Sequence, residues 1–88
     1  MAELTVSVVS ADQEVWSGSA SMVVARTTEG QIGILPGHEP MLAILATGEV
    51  RVTTPSGVIT ASAEEGFLSV AQDVITIVAR SAELTNAK

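Results

Sequence analysis

The chain has 88 residues, no cysteine and a formal net charge of −6 at pH 7, from four basic and ten acidic residues. This length corresponds to one domain with a modest core, and the lack of cysteine excludes disulfides and thiolate metal sites. The acidic balance disfavours nucleic acid as a partner, and the longest apolar stretch, residues 41–46, is far shorter than the ~20 residues that cross a bilayer.

Alternation of apolar and polar residues predicts short β-strands along most of the chain. The pattern starts at residues 4–8, where every second residue is apolar, which is the period of a half-buried strand. Runs rich in Val, Ile and Thr repeat it at residues 20–24, 50–53, 58–63, 67–70 and 74–79. Short strands at a spacing of about ten residues indicate a β-sandwich or barrel.

Turn signals separate these predicted strands. Thr54-Pro55-Ser56-Gly57 has proline and glycine where a type I turn prefers them. Glycine also predicts turns at Thr47-Gly48-Glu49 and Glu64-Glu65-Gly66, and Ala71-Gln72-Asp73 divides the last two runs. Because the alternation is lost at residues 81–88, we expect the chain to trail off there.

Residues 38–46 fit two kinds of secondary structure. Met41, Leu42, Leu45 and Ala46 would form the apolar face of a helix. Gly48 follows closely, and runs typical of strands lie on both sides, so we predict a short strand.

No constellation of residues predicts catalysis or metal binding. His38 is the only histidine, so a histidine metal site would need carboxylates around one imidazole. Asp12 and Asp73 have no spacing that marks a Ser-His-Asp arrangement. Residues 30–33 are too short for a P-loop, and the only lysine is Lys88. We therefore expect no cofactor and no enzymatic activity.

The most distinctive segment is residues 29–40, which read EGQIGILPGHEP. Three glycines and two prolines restrict the backbone path, and Ile32, Ile34 and Leu35 give the segment an apolar edge. These residues alone leave two interpretations open, a turn tucked into the core and a docking edge for a partner.

This segment resembles the signature of the epsilon subunit family of bacterial F-type ATP synthases, the delta subunit in mitochondria. The family run is Gly-acidic-Ile/Leu-Gly-Ile/Leu-x-Pro-x-His-x-Pro, and this chain departs from it by carrying Gln31 where many members have an acid. Residues 8–18, 48–52, 66–70 and 74–79 with 82–83 are similar to other family segments in the same order, so the resemblance covers nearly all of residues 3–84.

The resemblance implies an all-β fold, a small ten-stranded β-sandwich in a single domain formed by residues 1–84. Residues 85–88 would be a tail, at the point where typical bacterial members begin a helical hairpin. The sequence leaves open whether the subunit is naturally short or a longer chain was trimmed.

The function that the resemblance implies is mechanical rather than catalytic. The chain would be a central-stalk subunit that couples rotation of the c-ring to the gamma subunit during proton-driven ATP synthesis. It would be a peripheral protein at the cytoplasmic face of the bacterial plasma membrane, associated with the membrane only through its partners. The alternative is an unrelated β-sandwich interaction module, which leaves the glycine-rich segment unexplained.

The family match also assigns residues to partners. The expected c-ring contacts are Gly30, Gln31, Ile32 and Gly33. The expected gamma contacts are Ser10, His38 and Met41.

Overall fold

The computed structural model describes residues 3–11, 13–37 and 39–85, and these form eight β-strands. They are β1 (Leu4–Ser10), β2 (Gln13–Ala20), β3 (Met22–Thr27), β4 (Gly30–Ile34), β5 (Met41–Leu45), β6 (Gly48–Thr54), β7 (Gly57–Ala71) and β8 (Val74–Leu84). The prediction of a single all-β domain is confirmed, and the ambiguous segment is a strand, β5. The expected count of ten strands differs from the eight of the described ranges.

Two long strands account for part of this difference. β7 has 15 residues and continues through Glu64-Glu65-Gly66, so the turn predicted there is wrong. β8 pairs with β7 along its whole length, from Val74 opposite Ala71 to Leu84 opposite Ala61. The prediction that the chain trails off from Ser81 is therefore wrong for the residues up to Leu84, because they belong to β8.

β7 and β8 bend together at Gly66. The buried side chains of β7 change from odd positions, such as Ala63, to even positions, such as Leu68. Glu65 has a φ of 30°, and a Cβ on Gly66 would collide with the carbonyl oxygen of Val78 and lie 2.6 Å from the Ala79 Cα. Gly66 thus permits a close approach of two strands, and the bend carries both strands from one layer of the sandwich to the other.

The strands form one continuous sheet that folds into two layers. The first layer has the order β2-β1-β8-β7-β5, in which β1 and β8 are parallel and the other neighbours antiparallel. In the second layer the first half of β7 pairs with β6, β6 with β3, and β3 with β4. β3 and β5 pair at Thr27 and Leu45. This pairing closes a circuit of four strands, β3, β5, β7 and β6.

The core between the layers is aliphatic, as the composition predicts. A fully buried Val, Leu or Ile contributes roughly 1.5–3 kcal/mol, and within the described ranges no buried side-chain nitrogen or oxygen lacks a partner. The largest fully buried side chains are Leu4, Val6, Val8, Val23, Ile34, Val50, Val52, Leu68, Val70, Ile75 and Ile77.

Two hairpins of the second layer share one turn structure, Thr-x-x-Gly. In the β3–β4 hairpin the Thr27 hydroxyl donates to the Gly30 carbonyl at 2.7 Å and accepts from the Glu29 amide at 3.1 Å. In the β6–β7 hairpin Thr54 makes the equivalent bonds, at 2.8 Å to Gly57 and 3.2 Å from Ser56. Both glycines have positive φ, 116° and 137°, a region that favours glycine.

Candidate partner-binding surface

The outer surface of the first layer carries the two most exposed large apolar side chains of the described residues, Leu42 and Ile44. Cross-strand pairing places Ile44, Phe67, Val78 and Val9 in one row across β5, β7, β8 and β1. Pairing also places Leu42, Ser69, Thr76 and Ser7 in a parallel row beside it. These eight residues form the outer face of the first layer. Leu42, Ile44 and Phe67 are 72%, 62% and 43% exposed.

The eight residues of the outer face carry no charge, and the nearest acid across the strands is exposed Glu14, which pairs with Val9 from β2. Surfaces of soluble monomers normally mix charges of both signs with apolar groups, whereas the centres of protein interfaces are depleted of charge. A contiguous exposed apolar patch also marks an interaction site. The outer face is therefore suited to bind a protein partner.

A groove of about 310 Å³ adjoins the outer face. The amide of Thr28 donates to the Ile44 carbonyl at 2.9 Å, which places the β3–β4 turn beside β5. The groove is lined by Thr27, Thr28, Glu29, Ile32, Met41, Leu42, Ala43 and Ile44. Ile32, an expected c-ring contact, and Met41, an expected gamma contact, thus lie on the same groove.

The other expected c-ring residues lie on the β3–β4 hairpin. Gln31 is exposed and lies opposite Arg26 in the strand pairing. Gly30 and Gly33 are also exposed, and β4 pairs with β3 on one side. The carboxylate-bearing residue nearest in sequence is Glu29, which is exposed on the turn. This hairpin therefore presents the side-chain amide of Gln31 on β4 and the carboxylate of Glu29 on the turn.

Ser10 lies apart from Met41, another expected gamma contact. Met41 pairs with Val70, and Val70 pairs with Ile75. The neighbouring residue Val74 pairs with Thr5 at the start of β1, whereas Ser10 is at the other end of β1. The Ser10 side chain is only 8% exposed, and its hydroxyl donates to the Gln13 carbonyl at 3.2 Å. A partner at this end would meet the β1–β2 turn rather than the serine hydroxyl.

Met41 is half-buried and packs against the core. His38 and Asp12 lie outside the described residues, so the expected contact of His38 with gamma stays a prediction. The outer face connects the regions of Ser10 and Met41, since it extends from Val9 on β1 to Leu42 on β5. Alternation in the sequence could have suggested these positions, but it does not tell which side of a strand faces the core.

Sequence reasoning missed Asp73, which it treated only as a residue of a dividing turn. The backbone carbonyl of Asp73 accepts a hydrogen bond from the Thr5 amide at 2.8 Å. Its side-chain Oδ1 accepts one from the Gly37 amide at 2.7 Å. Asp73 therefore connects the β7–β8 turn to β1 and to residues 35–37, the middle of the glycine-rich segment.

Two ion pairs are further polar features of the described ranges. Arg51 and Glu49 are 3.1 Å apart, and Arg80 and Glu65 are 3.5 Å apart, both pairs on the surface. Such pairs contribute about 0–1 kcal/mol. Among the described residues, no group of three metal-ligating side chains is close enough to hold an ion. The same part of the chain contains no helix with the length and hydropathy needed to cross a bilayer.

Comparison with known proteins gives the same family over almost the whole chain. A family model described as "ATP synthase, Delta/Epsilon chain, beta-sandwich domain" matches residues 3–85. The ATP synthase epsilon chain of Micrococcus luteus is 57% identical over 88 residues, covering 99% of this chain and 97% of the relative. That of Frankia casuarinae is 53% identical over 83 residues, covering 93% and 98%. That of Streptomyces coelicolor is 48% identical over 86 residues, covering 97% and 69%.

Solved structures of similar fold come from ATP synthase assemblies. A chain of the Euglena gracilis mitochondrial ATP synthase, in a structure of OSCP, F1 and c-ring, has a TM-score of 0.88 and 25% identity. The match covers 96% of this chain and 54% of that one. A chain of the Tetrahymena thermophila central stalk and c-ring has a TM-score of 0.73 and 17% identity, covering 90% and 64%, which shows the fold alone.

Proposed function

Because the chain belongs to the ATP synthase delta/epsilon family through its β-sandwich domain, we propose that it is a non-catalytic subunit of the central stalk. It couples rotation of the c-ring to the gamma subunit during proton-driven ATP synthesis. The family recognised from residues 29–40 is confirmed, and an unrelated interaction module is excluded. The names of the relatives, epsilon chains of ATP synthase, support the proposed role.

The uncharged outer face is the observation that carries the proposed contact with gamma. A stalk subunit that transmits torque needs a stable interface, and stable interfaces have an apolar centre. Leu42 and Ile44 supply exposed apolar side chains on β5, and Phe67 extends the patch onto β7. Met41, His38 and the turn after Ser10 are proposed to contact gamma around this face.

The exposed β3–β4 hairpin is the proposed contact with the c-ring. Gly30, Gln31 and Gly33 are exposed there, and Ile32 lies at the adjoining groove. Gln31 can donate and accept hydrogen bonds with polar loops of the ring. Replacing Gln31 by cysteine should allow oxidative cross-linking to a cysteine in such a loop, and failure at every loop position would contradict this contact.

The proposed partners also account for the location of the chain. It is peripheral to the membrane and is held there through gamma and the c-ring, at the cytoplasmic face of the bacterial plasma membrane. The division into a domain of residues 1–84 and a tail of residues 85–88 stays a prediction. β8, the last strand described, ends at Leu84.

Calorimetric titration of the chain with the gamma subunit of the same organism tests the proposed contact. The wild-type chain should form a stable complex. Ile44→Glu places a charge in the outer face, and a buried unpaired charge is costly, so affinity for gamma should fall about tenfold or more. Because Ile44 is 62% exposed in the free chain, the substitution should leave folding intact.

Val58→Glu is the matched control for this titration. Val58 is a 46% exposed β-branched residue near the start of β7, opposite Thr53 and away from the outer face. Its replacement should leave affinity for gamma within about twofold of wild type. Equal affinities for the Ile44→Glu and wild-type chains would show that gamma binds elsewhere.

A further inference from the structure

We infer that Asp73 is a positioning residue whose carboxylate holds residues 35–37 in the conformation that the gamma subunit meets. The contact is the 2.7 Å hydrogen bond from the Gly37 amide to Asp73 Oδ1. This inference rests on the proposed function, because it concerns the same assembly. It assigns a role to a residue outside the glycine-rich segment.

The backbone of the β7–β8 turn does not itself require the Asp73 side chain. Ala71 pairs with Val74, so Gln72 and Asp73 form a two-residue hairpin loop. Their φ angles are 51° and 63°, both left-handed, which is the type I′ turn that prefers glycine at its second position. Glycine would suit the backbone at position 73 better than aspartate does, whereas only a side chain with an acceptor reaches Gly37.

Asp73 is itself held in place, so it can hold another segment. Its backbone carbonyl accepts from the Thr5 amide at 2.8 Å, which fixes the turn to β1 in the first layer. Residues 35–37 are the first part of the connection, residues 35–40, that leads from β4 in the second layer to β5 in the first. Gly37 has a φ of 90°, and glycine has the most backbone freedom to lose on ordering.

The consequence for assembly is entropic. Residues 35–37 precede Met41, Leu42 and Ile44 in the chain. These three side chains line the groove, and Leu42 and Ile44 form the edge of the outer face. If this connection were free, binding of gamma would have to order it, and affinity would decrease by that cost. The hydrogen bond to Asp73 orders the connection before the partner arrives.

Three variants separate this role from a purely structural one. Asp73→Gly removes the carboxylate while giving the turn the residue that its backbone prefers, so the hairpin should remain folded. Asp73→Asn keeps an acceptor oxygen at the same distance. Gln72→Gly relieves the neighbouring left-handed position without changing the contact with Gly37, and it controls for effects of the turn itself.

The test is the affinity of each full chain for gamma, together with amide hydrogen exchange at Gly37 in the free chain. For Asp73→Gly we expect exchange at Gly37 to be about tenfold faster and the Kd for gamma to rise about tenfold, which corresponds to roughly 1.4 kcal/mol. Asp73→Asn and Gln72→Gly should remain within about twofold of wild type in both measurements.

The outcomes distinguish this inference from the proposed function. If the wild-type chain binds gamma and Asp73→Gly binds equally well, the inference is overturned while the proposed function stands. If Gln72→Gly weakens binding as much as Asp73→Gly, the turn rather than the carboxylate is responsible, and the inference is again overturned. If the wild-type chain does not bind gamma, the proposed function fails and the inference fails with it.

Discussion

Gly66 marks a point where β7 closely approaches β8. A Cβ at this position would meet the backbone of Val78 and Ala79, and backbone cannot move aside as a flexible side chain can. Gly66→Ala should therefore lower the free energy of unfolding by about 2–4 kcal/mol. Urea denaturation followed by circular dichroism would measure this change.

Gly33→Ala is the matched control for Gly66→Ala. Gly33 is exposed on β4, and a Cβ there would have no neighbour within 4 Å. Its replacement should change the free energy of unfolding by no more than about 0.5 kcal/mol. Equal effects at the two glycines would mean that the close approach of β7 and β8 is not what requires Gly66.

The Thr-x-x-Gly turns allow a prediction at the scale of a hairpin. Valine keeps the shape of threonine but removes the hydroxyl that bridges each turn. Thr54→Val should cost about 0.5–1.5 kcal/mol, and Thr27→Val about 1–3 kcal/mol. Thr27 is 5% exposed and its hydrogen bonds are partly buried, whereas Thr54 is half-buried and its hydrogen bonds are exposed to water.

Urea denaturation of both valine variants gives the comparison. The expected order is a larger loss of stability for Thr27→Val than for Thr54→Val. A larger loss at Thr54 would show that burial does not set the difference between the two turns.

Local patterns predict strands that alternate regularly or whose length is limited by a nearby glycine. In β1 the alternation of Leu4, Val6 and Val8 is the observed burial pattern, and β8 begins at Val74 as its pattern indicates. β5 could be chosen over a helix because Gly48 and the neighbouring strands limit its length. Such elements are determined by residue types within a few positions.

Elements that depend on distant pairing could not be read in the same way. Glu64-Glu65-Gly66 has the composition of a turn, but β8 pairs on both sides of it and keeps β7 continuous. Glu83 and Leu84 lack alternation, yet they extend β8 because Ser62 and Ala61 lie opposite them. The outer face was missed for a related reason. The packing of the two layers decides whether the side of each strand that carries Phe67 or Ile44 is exposed or buried.

The distribution of charge predicts how binding responds to salt. The chain has a net charge of −6, but the outer face contributes none of its charged groups. Salt screens interactions between exposed charges and leaves apolar burial largely unaffected. The Kd for gamma should therefore change less than about threefold between 0.05 and 0.5 M sodium chloride.

Titration of gamma across this range of salt concentrations is the measurement. A steep loss of affinity with added salt would show that a charged surface, rather than the outer face, dominates the contact. The Ile44→Glu chain is informative in the same series, because its added charge should make the residual binding more sensitive to salt.

ATP-driven proton pumping measures whether this domain couples the c-ring to gamma. Inverted membrane vesicles that contain the ATP synthase without this subunit would be supplied with the purified chain, and acidification of the vesicle lumen would be followed after ATP is added. The wild-type chain and Val58→Glu should restore pumping, whereas Ile44→Glu should not restore it at the same concentration. Vesicles that remain uncoupled with the folded wild-type chain, or that Ile44→Glu restores equally well, would contradict the account.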